Sequence, residues 1–244
     1  MITKEKNYFD IIYKVILVLL VALIAVFSFG LNTKKELNAA EVYSKSFNYI
    51  VEIKCVNSES DDIAYGSAVC ISNNGEFITN AHVVTYQTTE QNGEKKINSF
   101  SKYFIRFPDS ESYDEVELIK YDRAKDLAIV KMCNLTRKLK PVVIFDKYKT
   151  GDKCFAIGNS QNYGISISEG IVSKKQIKIK NGDVEITAIQ CDLNITDGNS
   201  GGALLDTQGR LIGLTTFRIK DEMNKVIYGM SFALQAIDIK NFIN

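Results

Sequence analysis

The feature that most constrains this chain is its run of short apolar segments, many alternating with period two, separated by turn residues and almost free of helical periodicity after residue 46. Alternation puts successive side chains on opposite faces of a strand, so each segment can bury one face of a sheet. A first set comprises Phe47–Val56, Tyr65–Ser72, Glu76–Thr79, Phe104–Phe107, Glu115–Tyr121 and Leu127–Cys133. After Pro141 a second set follows: Lys153–Ile157, Gly164–Ser173, Gln176–Ile179, Glu185–Cys191, Ala203–Leu205, Leu211–Phe217 and Val226–Phe232. Asn73-Asn74-Gly75, Asn181-Gly182 and Gln208-Gly209 supply turns, because glycine accepts a positive φ at little cost. Two sets of similar size predict an all-β chain of two barrels, over about 46–135 and 150–235, joined near 134–150. The spacing of Ile237, Ile239 and Phe242 predicts a short closing helix over Ala236–Phe242. The polar run Tyr86–Ser101 reads as a mobile surface loop.

The N-terminus has a different character. From Ile11 to Leu31 the only charge is Lys14, and the stretch just reaches the roughly 18–20 residues that a helix needs to span a bilayer. Counted from Val15 it also fits the apolar region of a signal peptide, with Ser28-Phe29-Gly30 as a small-x-small cleavage site. Residues 1–31 are therefore expected to be a membrane anchor or a cleaved signal. Residues 32–45 read as a stalk, briefly helical, and 46–244 as the globular domain. Export of that domain beyond the cytoplasmic membrane is the economical reading.

A formal net charge of +1, from 30 Lys and Arg against 29 Asp and Glu, gives no sign of a nucleic-acid partner. The five cysteines, Cys55, Cys70, Cys133, Cys154 and Cys191, include no C-x-x-C spacing, so no metal site is expected. Cys70, Cys133, Cys154 and Cys191 lie in apolar strand-like runs, where free cysteine behaves as a small buried hydrophobe. No structural disulfide is expected.

Chemistry concentrates at three distant places. Ser200 is boxed by glycines in Asp197-Gly198-Asn199-Ser200-Gly201-Gly202. A serine hydroxyl becomes a nucleophile only with a base to take its proton and donors to receive charge on the substrate oxygen. Glycine at 198 and 201 permits a tight turn that can aim the Gly198 and Ser200 N–H groups at one point. Each such donor is worth about 3–4 kcal/mol in the transition state. His82, the single histidine, is the available base. Its neutral form is the working one, so the rate is expected to fall as pH drops toward about 5–6. Asp126, fused to the apolar run Leu127–Val130, is the expected orienter of the imidazole. Its rival Asp122 lies in a polar turn and is expected to face solvent.

These residues sit within a wider pattern. Gly66-Ser67-Ala68-Val69 precedes Phe77-Ile78-Thr79-Asn80-Ala81-His82-Val83-Val84; then come Asp126-Leu127-Ala128-Ile129-Val130, Ala156-Ile157-Gly158-Asn159 with Ser168–Ser173, Gly198–Gly202, and Gly229-Met230-Ser231-Phe232-Ala233. In this order the blocks resemble the trypsin-fold serine endopeptidases of the HtrA (DegP-like) branch, over roughly Ile50–Phe242. The resemblance implies two six-stranded barrels with the triad His82, Asp126 and Ser200 between them, and an oxyanion hole at Gly198, Asn199 and Ser200. It implies a substrate-binding wall from Leu193, Asn194 and Thr196 to Asp197 and another from Met230, Ser231 and Phe232. It further implies cleavage of unfolded or extended polypeptides, no cofactor, and a homotrimer as the assembly, since relatives form trimers. Thr196-Asp197 stand where the family usually has Asn-Pro, and Ala203 where it has proline. With its last residue at Asn244, the chain is expected to lack the C-terminal PDZ domain common in the family. Asn199 replaces the aspartate that digestive relatives pair with a new N-terminus, so no zymogen-type activation is expected, and its amide is expected to brace the loop. Two rival readings remain: a trypsin-fold binding or chaperone module, and a regulatory protease dedicated to one partner.

Overall fold

The computed structural model describes residues 2–31, 36–58, 60, 62–90, 92–135, 137–181, 184–220 and 226–244. They fall into two units, Met1–Glu36 and Leu37–Asn244. The first is dominated by helix α1, Ile2–Leu31. Its side chains over residues 11–25 are exposed on every side. Among the described residues no helix is long and apolar enough to cross a membrane.

The second unit opens with helix α2, Ala39–Ser46, inside the segment expected to be a stalk. Asn38 starts it through a capping box: its side chain accepts from the Glu41 N–H at 3.0 Å, and the Glu41 carboxylate accepts from the Asn38 N–H at 2.9 Å. Two backbone donors that a helix start leaves unpaired are thus satisfied.

Strands β1 Ile50–Val56, β2 Ile63–Cys70 and β3 Glu76–Thr79 follow, then a single helical turn α3 at Ala81–Val84. Next come β4 Thr85–Thr89, β5 Lys95–Ser99, β6 Lys102–Arg106, β7 Asp114–Asp122 and β8 Leu127–Met132. Barrel 1 closes in the order β1-β2-β3-β8-β7-β6, every pair antiparallel. The second set gives β9 Lys153–Asn159, β10 Ile165–Asn181, β11 Val184–Cys191, β12 Ala203–Asp206, β13 Leu211–Lys220 and β14 Val226–Gln235. Barrel 2 closes in the order β10-β11-β14-β13-β12-β9, and helix α4, Ala236–Ile243, ends the chain. The fold is therefore all-β, with two closed six-stranded barrels and a short C-terminal helix.

The interior explains the alternation. Phe77 and Phe107 meet edge-on with centroids 6.0 Å apart, and both are fully buried with Ile50, Ile53, Ile78 and Ile105. Burying each such side chain stabilises by about 1.5–3 kcal/mol. Between the barrels, residues 142–145 run across both: Val142 N–H donates to Cys70 of barrel 1, and Phe145 N–H to Leu211 of barrel 2.

Three local expectations are corrected. The run Tyr86–Ser101 contains the antiparallel hairpin β4–β5 outside both barrels, not a plain loop. Thr85, Tyr86, Thr88 and Ile97 are good strand formers, and the Tyr86 ring packs on Phe100 at 5.0 Å. The two segments drawn from Gly164 to Ile179 are one strand, β10, whose pairing with β11 shifts register between Val172 and Lys174 and again before Ile177. Such bulges bend a strand without ending it. Cys133 is exposed, because β8 stops at Met132 and the chain bends away there, whereas Cys55, Cys70, Cys154 and Cys191 are buried. The Asn181-Gly182 turn extends beyond the described residues.

Candidate active site

His82 lies in the turn α3 that leaves β3, where the buried neighbours Ala81, Val83 and Val84 fix the backbone and leave the imidazole partly open. Asp126 ends the turn before β8 with φ +53, a left-handed conformation that a non-glycine residue adopts at a cost of about 1–2 kcal/mol. Buried Asn80 helps to hold it there by donating to the Asp126 carbonyl at 3.0 Å. The Asp126 carboxylate meets His82 Nδ1 at 3.0 and 2.8 Å through its two oxygens, and Oδ1 also accepts the His82 backbone N–H at 3.0 Å. Thr216 Oγ1 donates to Oδ2 at 2.8 Å. Burial acts to raise this carboxyl's pKa, but the hydrogen bonds and charge of His82, with the Thr216 hydroxyl, outweigh it and hold the group below its usual range. An ionised carboxylate only accepts, so it selects the imidazole tautomer that carries its proton on Nδ1 and leaves Nε2 as a base. Asp122 instead accepts the N–H groups of Ala124 and Lys125 in its own turn, at 2.9 and 3.1 Å.

The serine loop joins this pair through two buried residues. Ser200 Oγ donates to the Thr216 carbonyl at 2.9 Å, and among the described residues it makes no hydrogen bond to His82. Thr216 therefore touches Asp126 with its side chain and Ser200 with its backbone. Asn80 is the second link: its Oδ1 accepts the Gly201 N–H at 2.7 Å while its amide nitrogen serves Asp126. A register shift in the β13–β14 ladder between Thr215 and Phe217 lies at Thr216. Close packing also locks the loop, since a Cβ on Gly201 would overlap the Ser67 carbonyl and the Thr79 hydroxyl.

Among the described residues neither the Gly198 nor the Ser200 N–H donates a hydrogen bond, yet the far end of each amide is pinned. The Asp197 carbonyl accepts Gln161 N–H at 2.7 Å, and the Asn199 carbonyl accepts Gly202 N–H at 2.9 Å and Thr215 Oγ1 at 2.5 Å. A planar amide held by its carbonyl points its N–H the opposite way. Asn199 differs, because its own N–H is committed to the Thr196 carbonyl at 3.1 Å. Its side chain is buried and accepts from Ser160 Oγ at 2.9 Å, which braces the loop.

Of the residues expected to form the substrate walls, Leu193, Ser231 and Phe232 are buried. Leu193 and Phe232 are each 1% exposed, Phe232 stacks on Phe217 at 5.4 Å, and Ser231 Oγ donates to the Leu193 carbonyl at 2.5 Å. Asn194 is exposed, and Thr196 and Met230 are half-buried. Sequence reasoning missed Thr216, Asn80, Ser67, Asn159 and Gln161. A buried Thr215-Thr216 pair in the apolar run Leu211–Phe217 was the available signal, because buried hydroxyls need partners.

Closed barrels of this order, with an imidazole–carboxylate pair and a glycine-boxed serine tied to one buried threonine, mark one class of protein, the trypsin-like serine endopeptidases. The family model described as Trypsin-like peptidase domain matches residues 66–214, and the chain belongs to that family. Its relatives are of the HtrA type. It is 31% identical over 217 residues to Protease Do-like 5, chloroplastic, of Arabidopsis thaliana, covering 82% of this chain and 66% of that one. It is 32% identical over 177 residues to the serine endoprotease DegS of Haemophilus influenzae, covering 72% and 48% respectively. The chain thus spans about half to two thirds of the length of these two curated relatives. Among solved structures, the HtrA-type protease AlgW with a tripeptide superposes with a TM-score of 0.67 at 26% identity, covering 85% of this chain and 64% of that one.

Proposed function

We propose that the chain is a membrane-tethered serine endopeptidase that cleaves exported, unfolded or extended polypeptides outside the cytoplasm. Ser200 attacks the scissile carbonyl, His82 takes its proton and returns it to the leaving amine, Asp126 orients the ring, and the Gly198 and Ser200 N–H groups receive the oxyanion. The observation that carries this reading is the His82–Asp126 pair joined through Thr216 to Ser200, beside two backbone donors with pinned carbonyls. Rotation about the Ser200 Cα–Cβ bond frees the hydroxyl from Thr216, and such bonds commonly tighten toward the base only when substrate is bound. Neither the His82 nor the Asp126 role requires a metal or organic cofactor, and no nucleic-acid partner is expected.

Tethering is supported by α1, whose large apolar side chains from Ile11 to Ile24 are exposed around the whole helix and call for an apolar surrounding. Residues 11–31 are the proposed membrane contact, and a homotrimer is the proposed assembly. A fluorophosphonate probe tests the central claim: it should label wild type but not Ser200→Ala. Peptides released from a denatured proteome by wild type, and absent with Ser200→Ala, would report substrate preference. An unlabelled wild-type protein that still binds unfolded chains would instead establish a binding module. Sodium carbonate extraction tests the tether; release of the full chain into the soluble fraction would overturn it.

A further inference from the structure

Glu52 is a carboxylate that the proposed chemistry does not use, yet it sits in β1 only 3% exposed. One oxygen accepts Asn159 Nδ2 at 2.6 Å and Arg106 Nη2 at 3.1 Å, and the other accepts the Tyr113 hydroxyl. A buried charge persists only when paired and hydrogen-bonded in this way. The connections continue beyond Asn159. Its Oδ1 accepts Gly164 N–H at 2.9 Å, so one amide spans the turn between them. Its backbone N–H donates to Ser67 Oγ at 2.8 Å, and that hydroxyl donates to the Gly198 carbonyl at 2.8 Å.

The spanned turn contains the donor that pins the oxyanion amide. Gln161 N–H holds the Asp197 carbonyl at 2.7 Å, the back of the peptide that presents Gly198 N–H. Gln161 and Asn162 have φ of 54 and 62. Successive left-handed non-glycine residues cost of order 1–2 kcal/mol each and survive only where neighbours over-determine them. Little slack exists, because a Cβ on Gly198 would overlap the Asn159 carbonyl.

We propose that Glu52 is a positioning residue for the oxyanion hole: it anchors Asn159, Asn159 holds the strained 160–163 turn, and the turn keeps the Gly198 N–H aimed into the cleft. The proposal rests on reading the chain as an active peptidase. Glu52 suits the task because hydrogen bonds to an ionised acceptor are roughly twice as strong as neutral ones. Without it, the Asn159 amide and the Arg106 guanidinium lose their shared partner, and the turn loses its fixed point. No contact with substrate is involved.

Inactivation by a fluorophosphonate probe separates binding (KI) from the oxyanion-forming step (kinact). Wild type must label first; failure there sinks the peptidase reading and not this link. Outright loss of an oxyanion donor costs about 10²–10³-fold, so for misplacement we expect kinact of Glu52→Leu to fall about tenfold to hundredfold with KI within about twofold. Glu52→Gln keeps an acceptor for Asn159 and should stay within about threefold of wild type. If Glu52→Leu does not fold, the double variant Glu52→Leu/Arg106→Met replaces the ion pair with apolar volume, a change often neutral for stability, and should show the same kinact loss. The proposal is overturned if folded Glu52→Leu, or the folded double variant, inactivates at the wild-type rate. It also fails if Glu52→Gln loses as much as Glu52→Leu, or if only KI changes.

Discussion

Thr216 serves the Asp126 carboxylate with its hydroxyl and the Ser200 hydroxyl with its carbonyl. Thr216→Val removes the first contact and spares the second. A buried hydrogen bond to a charged group is worth about 1.5–3 kcal/mol, so probe inactivation should slow by roughly tenfold to hundredfold; an unchanged rate would show that His82 alone fixes the carboxylate. Asp126→Asn should cost about 10⁴-fold in kcat, because an amide can favour the wrong imidazole tautomer. The same variant should reshape acid stability. The folded Asp126 pKa is depressed, so its carboxylate stabilises the fold above the unfolded value of about 3.9, and that contribution is lost as pH falls through the lower folded value. Calorimetry should find Asp126→Asn less stable than wild type near neutrality, with the two curves converging as pH falls through the depressed folded pKa of Asp126. At this scale the sequence revealed the groups proposed to do the chemistry, since a lone histidine and a glycine-boxed serine are visible by type. It did not reveal their supports: Asn80, Ser67 and Thr216 act through contacts across 121, 131 and 90 positions of chain, which no local pattern records.

At the level of elements, strands were legible wherever one face is buried, because burial writes period two into the sequence. Long β10 was not, since its two register shifts interrupt the alternation exactly as a turn between separate strands would. The β4–β5 hairpin was hidden for the opposite reason: beyond Thr85 and Tyr86, which meet the core, its positions are exposed or half-buried, so nothing requires them to be apolar. Helix α2 owes its start to the Asn38–Glu41 capping box, and eight residues are too few to be stable on propensity alone. Asn38→Ala should therefore lower unfolding free energy by about 1 kcal/mol. A shift in the urea midpoint at unchanged slope would register that loss, whereas no shift would mean that packing alone holds the helix.

Across the whole molecule, residues from Leu37 onward form one unit and α1 belongs to another. A protein starting at Leu37 should keep the wild-type melting temperature and probe reactivity while leaving the membrane fraction; a large fall in melting temperature would show that the first unit contributes to the second's stability. The two-barrel plan was readable from the count and spacing of apolar runs, whereas the closure of each barrel depends on strand pairs distant in the chain, such as β1 with β6 and β9 with β12.

On the proposed reading, each molecule must also survive its sisters. In each barrel, hydrogen-bonded neighbours flank every strand, which denies that backbone to another copy's cleft. Among the described residues the β4–β5 ribbon has a partner on one side only of each strand, and Glu90, Asn92, Gly93 and Glu94 between its strands are exposed. Self-inflicted nicks during storage are therefore expected first between Thr89 and Lys95, where N-terminal sequencing of the fragments would find them, and a shortened ribbon should give a longer-lived preparation.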